Sequence, residues 1–183
     1  MFLKKLIDLM SPPQNVDSNS IEKNIKLVEK YYNIKVPNDL VQFLTTYGLG
    51  QINSFISIYS LINSSSYYEM IEWECQNYRE FREMFPEEYK HNVFPEKDGL
   101  FPLGRTDGGC LIWWQTALDP EYWTVVVYDE NSWDYEKYDM QLCEFLYKYF
   151  TKQINCRGFS ESLRENGKPR FVASDFDFKK YCE

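Results

Sequence analysis

The chain has 183 residues, of which 18% are aromatic, and a formal net charge of −8. This aromatic content excludes a disordered chain, and the length suits one domain with a sizeable core. The negative charge disfavours direct binding to nucleic acid or to an anionic membrane, because both need clustered Lys and Arg.

The N-terminal residues predict a short amphipathic helix. Apolar side chains recur at helical spacing from Phe2 to Met10, and Pro12 follows them. We expect no signal peptide, because Asp8 interrupts the apolar patch and no small-residue cleavage site follows. No later stretch approaches the length of a membrane span, so we expect a cytoplasmic protein that makes no membrane contact.

Two further helices are predicted before the first strand. Asn19, with a glutamate three residues later, has the pattern of a capping box and predicts a helix that ends near Asn33. Pro37 suits the first turn of the next helix. Gly48 and Gly50 supply the left-handed backbone that commonly ends a helix.

Runs of β-favouring residues predict the sheet. They occupy residues 55–60, 100–103, 110–115, 123–128, 135–138 and 170–173. The runs at 110–115 and 123–128 are apolar on both faces, which predicts covered, central strands, whereas 135–138 is expected at an edge. Trp113 and Trp114 must point to opposite faces, which favours core packing over a base-stacking platform.

Two more helices complete the predicted elements. The first covers about residues 67–84, with Asn63 as an N-cap and Pro86 beyond its end. Its apolar face is expected to contain Met70, Trp73, Tyr78, Phe81 and Phe85. The second begins at Leu142, and its apolar face should pack on the sheet.

Together these elements predict an α+β fold. We expect a single domain in which helices flank a mostly antiparallel sheet of about four to six strands. The expected boundaries are 1–18 for a short helix and linker, 19–154 for the main domain, and 155–183 for a C-terminal extension that is either packed on the domain or separate from it.

Neither a catalytic set nor a cofactor site is expected. A nucleophilic Cys110 would need a base within hydrogen-bond reach, but nothing in the sequence brings His91, the single histidine, near it. Gly108 and Gly109 predict a hairpin turn rather than a phosphate loop. No CxxC pair suggests zinc or a disulfide framework among the five cysteines, which are Cys75, Cys110, Cys143, Cys156 and Cys182.

An acidic stretch is the strongest indication of function. Residues 119–144 contain eight carboxylates against Lys137 alone: Asp119, Glu121, Asp129, Glu130, Asp134, Glu136, Asp139 and Glu144. Aromatic residues are interleaved with them, and these are either core residues or hot spots of a binding face. Solvated surface is the competing interpretation for each carboxylate. The predicted partner-binding residues are Arg105, Asp107, Tyr122, Asp129, Glu130, Trp133, Asp134 and Tyr135, although Arg105 and Asp107 could instead pair with each other.

Three segments, in this order, resemble the SUKH superfamily, which contains Smi/Knr-type fungal cell-wall regulators and many bacterial immunity proteins. In residues 21–50, Ile34-Lys-Val-Pro37 joins two helices. Residues 100–114 contain Phe-Pro-Leu-Gly before the glycine turn, and Val125-Val-Val-Tyr-Asp129 follows as a strand ending in an acidic residue. Cys110 departs from the pattern, since many relatives carry Asp there, and this argues against carrying over a role that depends on a carboxylate.

The resemblance implies a binding function without catalytic residues. The first hypothesis is an immunity protein that neutralises a cognate toxin with a basic surface, and a nuclease is suggested by charge alone. The second is a regulatory interaction scaffold unrelated to toxins. The third, a cysteine-dependent hydrolase, requires an exposed Cys110 of lowered pKa. A homodimer is left open.

Overall fold

The structure is a computed structural model that describes residues 2–59, 65–165 and 167–174, and for residues 65–70 it describes the backbone alone. The helices are α1 (Phe2–Leu9), α2 (Ser18–Tyr32), α3 (Asn38–Tyr47), α4 (Ser65–Met84) and α5 (Leu142–Phe150). The strands are β1 (Gly50–Ile52), β2 (Ile56–Ile58), β3 (Leu100–Thr106), β4 (Cys110–Gln115), β5 (Thr124–Asp129), β6 (Asp134–Tyr138) and β7 (Phe171–Ala173). Asn63, expected as a helix cap, and Cys182 lie outside the described residues.

A single antiparallel sheet organises the domain, which confirms the predicted α+β fold. Its strand order is β6-β5-β4-β3-β2-β1-β7, and every neighbouring pair is antiparallel. It has seven strands, where about four to six were expected. β6 lies at an edge, as predicted, and β4 and β5 are internal and largely buried.

The additional strand comes from a hairpin that the sequence did not predict. Residues 50–58 form two short strands, β1 and β2, around a turn at Asn53 and Ser54, whose φ angles are 54° and 52°. Two successive positive φ angles are typical of a tight hairpin turn, but Asn-Ser signals it more weakly than Asn-Gly. Gly50 starts β1 instead of ending α3, and a Cβ there would lie 2.2 Å from the Val172 carbonyl oxygen of β7.

The two faces of the sheet are covered by different helices. α5 packs on one face, where the Tyr138 and Phe145 rings lie 4.9 Å apart, and α4 packs on the other, where Tyr78 lies 5.6 Å from Trp113. Trp113 and Trp114 are both buried, as expected for core residues on opposite faces. The acidic strand pair β5–β6 therefore lies between two packed layers.

The chain's outer segments join the same core. Leu6 and Met10 are buried, and the Tyr47 hydroxyl donates a hydrogen bond to the Met10 carbonyl (2.8 Å). α1 packs on α5, with the Phe2 and Tyr147 rings 5.9 Å apart. β7, at the other end of the chain, adds an edge strand to the sheet.

Two details of the helices differ from expectation. α2 starts at Ser18, because the Asp17 carboxylate accepts a hydrogen bond from the Ser20 N–H and is the N-cap in place of Asn19. In α4, Trp73 is 59% exposed, and the buried positions among the described side chains are Ile71, Glu74, Cys75 and Tyr78. The predicted apolar face was therefore wrong at Trp73, while the side chain of Met70 lies outside the described residues.

Candidate functional site

Two turns meet at one end of the sheet, here called the turn end. They are the β3–β4 turn (residues 107–109) and the β5–β6 turn (residues 130–133). The Asn131 side-chain amide donates a hydrogen bond to the Gly108 carbonyl (3.2 Å), which ties the turns together. Antiparallel pairing places both turns at the same end, so residues more than 20 positions apart in sequence form one surface.

Asp129 organises the β5–β6 turn. Its carboxylate accepts hydrogen bonds from the Asn131 N–H (2.9 Å) and the Ser132 hydroxyl (2.8 Å). Partial burial acts to raise the pKa of Asp129, but the hydrogen bonds from Ser132 and Asn131 outweigh it and lower the pKa. Asp129 is thus a constraint on the turn as well as a surface carboxylate.

Trp133 closes this turn in an unusual conformation. Its φ is 58°, a left-handed value that bulky residues rarely adopt, yet its side chain remains 45% exposed. The indole packs against Phe85 and Tyr89, with ring centroids 5.9 Å away in both cases. Backbone strain that displays an aromatic side chain is a feature of functional sites.

Phe85 was missed as a member of this surface. The sequence suggested that it lies on the buried face of α4, but it follows the end of that helix and is 42% exposed. No local pattern pairs it with Trp133, which is 48 positions later in the chain. The two rings meet because α4 packs across this face of the sheet, where Tyr78 contacts Trp113 of β4 and Tyr135 of β6.

Glu130 is an exposed carboxylate beside these rings. Within the described part of the chain it forms no ion pair and accepts no hydrogen bond. Loss of hydration raises the pKa of its carboxyl group, Arg105 opposes that shift and Asp129 adds to it. Arg105 and Asp107 are also exposed, and in the described ranges they form no ion pair with each other.

A buried carboxylate lies close to this charge cluster. Glu74, on α4, is 4% exposed and accepts a hydrogen bond from the Tyr59 hydroxyl. Burial raises the pKa of Glu74, the Tyr59 hydrogen bond and the Arg105 charge lower it, and the Glu130 charge adds to the rise. Arg105 therefore acts on two carboxylates, one buried and one exposed.

Asp134 and Tyr135 are adjacent in β6 but lie on opposite faces. Asp134 forms a salt bridge with Arg157 (2.6 Å), so its charge is partly neutralised within the protein. Tyr135 is half-buried under α4, and its hydroxyl shares a hydrogen bond with that of Tyr78 (2.8 Å). Neither side chain is as available to a partner as Trp133.

Tyr122 lies apart from the other predicted site residues. It belongs to the connection between β4 and β5, here called the loop end (residues 116–123), and is 73% exposed. The length of β5 separates it from the turn end by about 20 Å. The structure thus brings seven of the eight predicted residues to one end of the sheet and leaves Tyr122 at the other.

A comparison with protein-family models shows which family the chain belongs to. It matches the family model SUKH_6, described as SMI1-KNR4 cell-wall, over residues 22–146. This range is more than half of the chain and includes the three resembling segments except for residue 21. The chain belongs to the SUKH family. No curated protein and no solved structure was found to match it.

The SUKH domain does not arrange Cys110 for nucleophilic catalysis. Cys110 is buried, and its thiol donates a hydrogen bond to the Gly158 carbonyl (2.7 Å). Burial, followed by the charge of Asp129, raises the pKa of Cys110 to about 11, so the reactive thiolate is disfavoured. His91 contacts Tyr135 on the α4 face, whereas Cys110 faces the α5 side. Burial lowers the pKa of His91.

The SUKH domain also has no feature of a membrane span or metal centre in the described residues. None of the described helices has both the length and the apolar composition needed to cross a bilayer. No group of three or more His, Cys, Asp or Glu side chains in residues 2–59, 65–165 and 167–174 is arranged to hold a metal ion. The candidate site is the turn end, because it combines the exposed Trp133 with the exposed carboxylate of Glu130.

Proposed function

We propose that this SUKH domain is an immunity protein that binds and neutralises a cognate toxin through its turn end. The observation that carries the proposal is Trp133, which is displayed in a left-handed conformation in the same turn as Glu130, a carboxylate with no ion pair to any described residue. Tryptophan is enriched at interface hot spots, and unpaired charge favours encounter with an oppositely charged protein. Arg105, Asp107 and Asp129 surround this centre.

The charge of the domain supports a basic partner. The net charge of −8 and the surplus carboxylates of residues 119–144 would accelerate association with a positively charged surface. Nucleases have such surfaces, because they bind a phosphate backbone. The proposed mechanism is stoichiometric occlusion of a basic toxin surface, and it needs no chemistry from this chain.

The cysteines support a cytoplasmic location for this activity. Cys75, Cys110, Cys143 and Cys156 are all free and buried. Burial raises the pKa of Cys75 and of Cys156 to about 12 in each case, so these thiols are packing groups of low reactivity. Unpaired thiols suit a reducing compartment.

Co-expression with the polypeptide encoded beside this gene tests the proposal. We expect the neighbouring polypeptide to be toxic alone, the host to survive when both are produced, and the two chains to purify as a one-to-one complex. Survival and complex formation should be lost together in a Trp133→Ala variant whose thermal unfolding matches that of the wild type. A harmless neighbour that forms no complex would contradict immunity.

A regulatory scaffold is the second candidate. It is favoured by the cell-wall description of the matched family. The same turn end would then bind a non-toxic protein, and affinity purification would recover a partner whose production alone does not impair growth. Toxicity of the partner is thus the result that separates the two functions.

A further inference from the structure

The proposed function leaves open which chemical group of the partner the turn end recognises. Building on that function, we propose that Phe85, Trp133 and Glu130 form a seat for one lysine or arginine side chain of the partner. These three residues are here called the cation seat. Phe85 comes from the segment after α4, and the other two come from the β5–β6 turn, so the seat exists only in the folded protein.

The two rings of the cation seat form an open corner. Phe85 and Trp133 meet edge to face, with an interplanar angle of 64°. Buried Tyr89 lies beneath Trp133 at an interplanar angle of 89° and supports it. The supported indole keeps part of its surface free, as a cation-binding aromatic must, because the cation needs access to the negative face of the ring.

Negative charge lies next to this corner, and none of the described cationic side chains forms an ion pair with Glu130. Burial raises the pKa of Tyr89, and the nearby charges of Glu130 and Glu88 raise it further, so both carboxylates act at the base of the corner. The closest arginine of α4, Arg82, is already held by Glu96 through two hydrogen bonds (2.9 and 2.7 Å). Arg105 influences Glu130 electrostatically but forms no ion pair with it in the described ranges.

This combination selects a cation over other groups. An apolar side chain would cover Glu130 and remove its hydration without giving it a partner, which is costly. An anion would be repelled by Glu130 and Glu88. A guanidinium or ammonium group can contact the indole face and the Glu130 carboxylate at the same time. It thereby gives the carboxylate a partner in place of water and gives the negative face of the ring a positive charge.

Binding of the co-purified neighbouring polypeptide tests the seat. By titration calorimetry, Trp133→Ala, Phe85→Ala and Glu130→Gln should each weaken binding by about 30-fold or more, as expected of hot-spot residues. The matched controls at the opposite end, Tyr122→Ala and Asp139→Asn, should leave the affinity within about 3-fold of the wild type. All variants alter exposed side chains, and thermal unfolding checks that they fold.

The outcomes separate the seat from the proposed function. If the wild type does not bind the neighbour, the immunity proposal fails and the peptide experiment below decides the seat alone. Wild-type binding that survives all three seat substitutions would overturn the seat and the role of the turn end, while neutralisation of the neighbour by another surface would still stand. Weakening by the ring variants but not by Glu130→Gln would also overturn it, because the partner group would then be apolar.

A small probe tests the chemistry without any partner. The indole N–H signal of Trp133, assigned by its loss in Trp133→Phe, is followed by NMR as acetyl-Gly-Arg-Gly-amide is added to about 100 mM, a range that suits one exposed cation–π contact. We expect a shift that grows with the concentration of the arginine peptide over this range and is much smaller in Glu130→Gln. The isosteric citrulline peptide, at the same ionic strength, should give none. Equal shifts with both peptides, or no shift with arginine, would count against the seat.

Discussion

The turn end and the loop end of the sheet have similar composition but use it differently. Both combine carboxylates with one highly exposed aromatic residue, Trp133 at the turn end and Tyr122 at the loop end. At the loop end, Glu121 accepts a hydrogen bond from the Asn38 N–H (2.9 Å), and Asp119 accepts one from the Glu121 N–H (3.0 Å). At the turn end, the Glu130 carboxylate accepts no hydrogen bond from any described residue.

The difference shows that acidic composition alone does not identify a binding face. Carboxylates of the loop end compensate the free N–H groups at the start of helices, where a negative charge is stabilising. The carboxylate of Glu130 accepts no hydrogen bond within the described ranges, and it loses part of its own hydration. A carboxylate that accepts no hydrogen bond within the fold is the better candidate for a partner contact, since a bound protein can supply the missing donor or cation.

The largest expected effect concerns a carboxylate of α3 that lies near Glu121 of the loop end. Asp39 accepts a hydrogen bond from the Cys143 N–H (2.8 Å) and so caps α5 from another helix. We expect Asp39→Ala to lower the free energy of unfolding by about 1–2 kcal/mol, the cost of a lost helix cap. Urea denaturation measures this. Asp39→Asn keeps a hydrogen-bond acceptor at this position, so its free energy of unfolding should fall by less. Neither substitution should alter the affinity for the partner.

A pH experiment sharpens the view that the turn end holds unfavourable charge. Burial raises the pKa of Glu74 above its ordinary value of 4.5, so the native state binds more protons than the unfolded state in the interval above that value. Stability from this group therefore falls as pH rises through the interval. We expect Glu74→Gln to stabilise the protein at pH 7, because glutamine removes the buried charge and keeps an acceptor for the Tyr59 hydroxyl.

The stabilisation by Glu74→Gln should vanish near pH 4, where the wild-type carboxyl group is protonated in both states. Denaturation at the two pH values measures the difference. Glu83→Gln, a change at an exposed position of the same helix, is the control and should have little effect at either pH. Equal stabilisation at pH 7 and pH 4 would show that packing, and not charge, explains the result.

Backbone strain at Trp133 gives a smaller and more specific effect. Trp133→Gly and Trp133→Ala both remove the indole, but only Ala must retain a side chain at a φ of 58°. We expect the Gly variant to be more stable than the Ala variant by about 1 kcal/mol in urea denaturation. Both should lose partner binding equally. An Ala variant as stable as the Gly variant would mean that the turn relaxes without Trp133.

The smallest expected effect concerns Arg157. This exposed residue pairs with Asp134 (2.6 Å) and with Glu136 (3.2 Å). Because exposed pairs contribute little to stability, Arg157→Ala should leave the melting temperature nearly unchanged. It should raise the association rate with a basic partner about 2-fold at low salt, and not at high salt, by releasing two carboxylates. Stopped-flow mixing at two salt concentrations measures this.

Much of the fold could be predicted because its signals are local. The apolar runs of β4 and β5, the glycine turn between β3 and β4, and the spacing of α5 each lie within a few consecutive residues. The β1–β2 hairpin was missed because Asn53 and Ser54 are weak turn signals, and the apolar face of α4 was misassigned at Trp73 because several aromatic residues fit more than one helical face.

Parts of the candidate site were equally visible in the sequence. The acidic stretch and Trp133 belong to one continuous segment, and the glycine turn drew attention to Arg105 and Asp107. The sequence could not show that Tyr122 lies at the opposite end from Trp133, since this depends on the direction of β5. It could not show that Asp134 is paired with Arg157, which comes 23 positions later.

By itself, the sequence determined the α+β class, the surplus of negative charge, the core positions of Trp113 and Trp114, and the membership of a family defined by short ordered motifs. These follow from residue order, hydrophobic period and turn chemistry, which act over a few residues. Only the tertiary structure decided that Phe85 meets Trp133, and that Glu121 accepts a hydrogen bond from Asn38 while Glu130 accepts none from the described residues. Those outcomes depend on distances between residues far apart in the chain, and such distances are settled when the helices pack on the sheet.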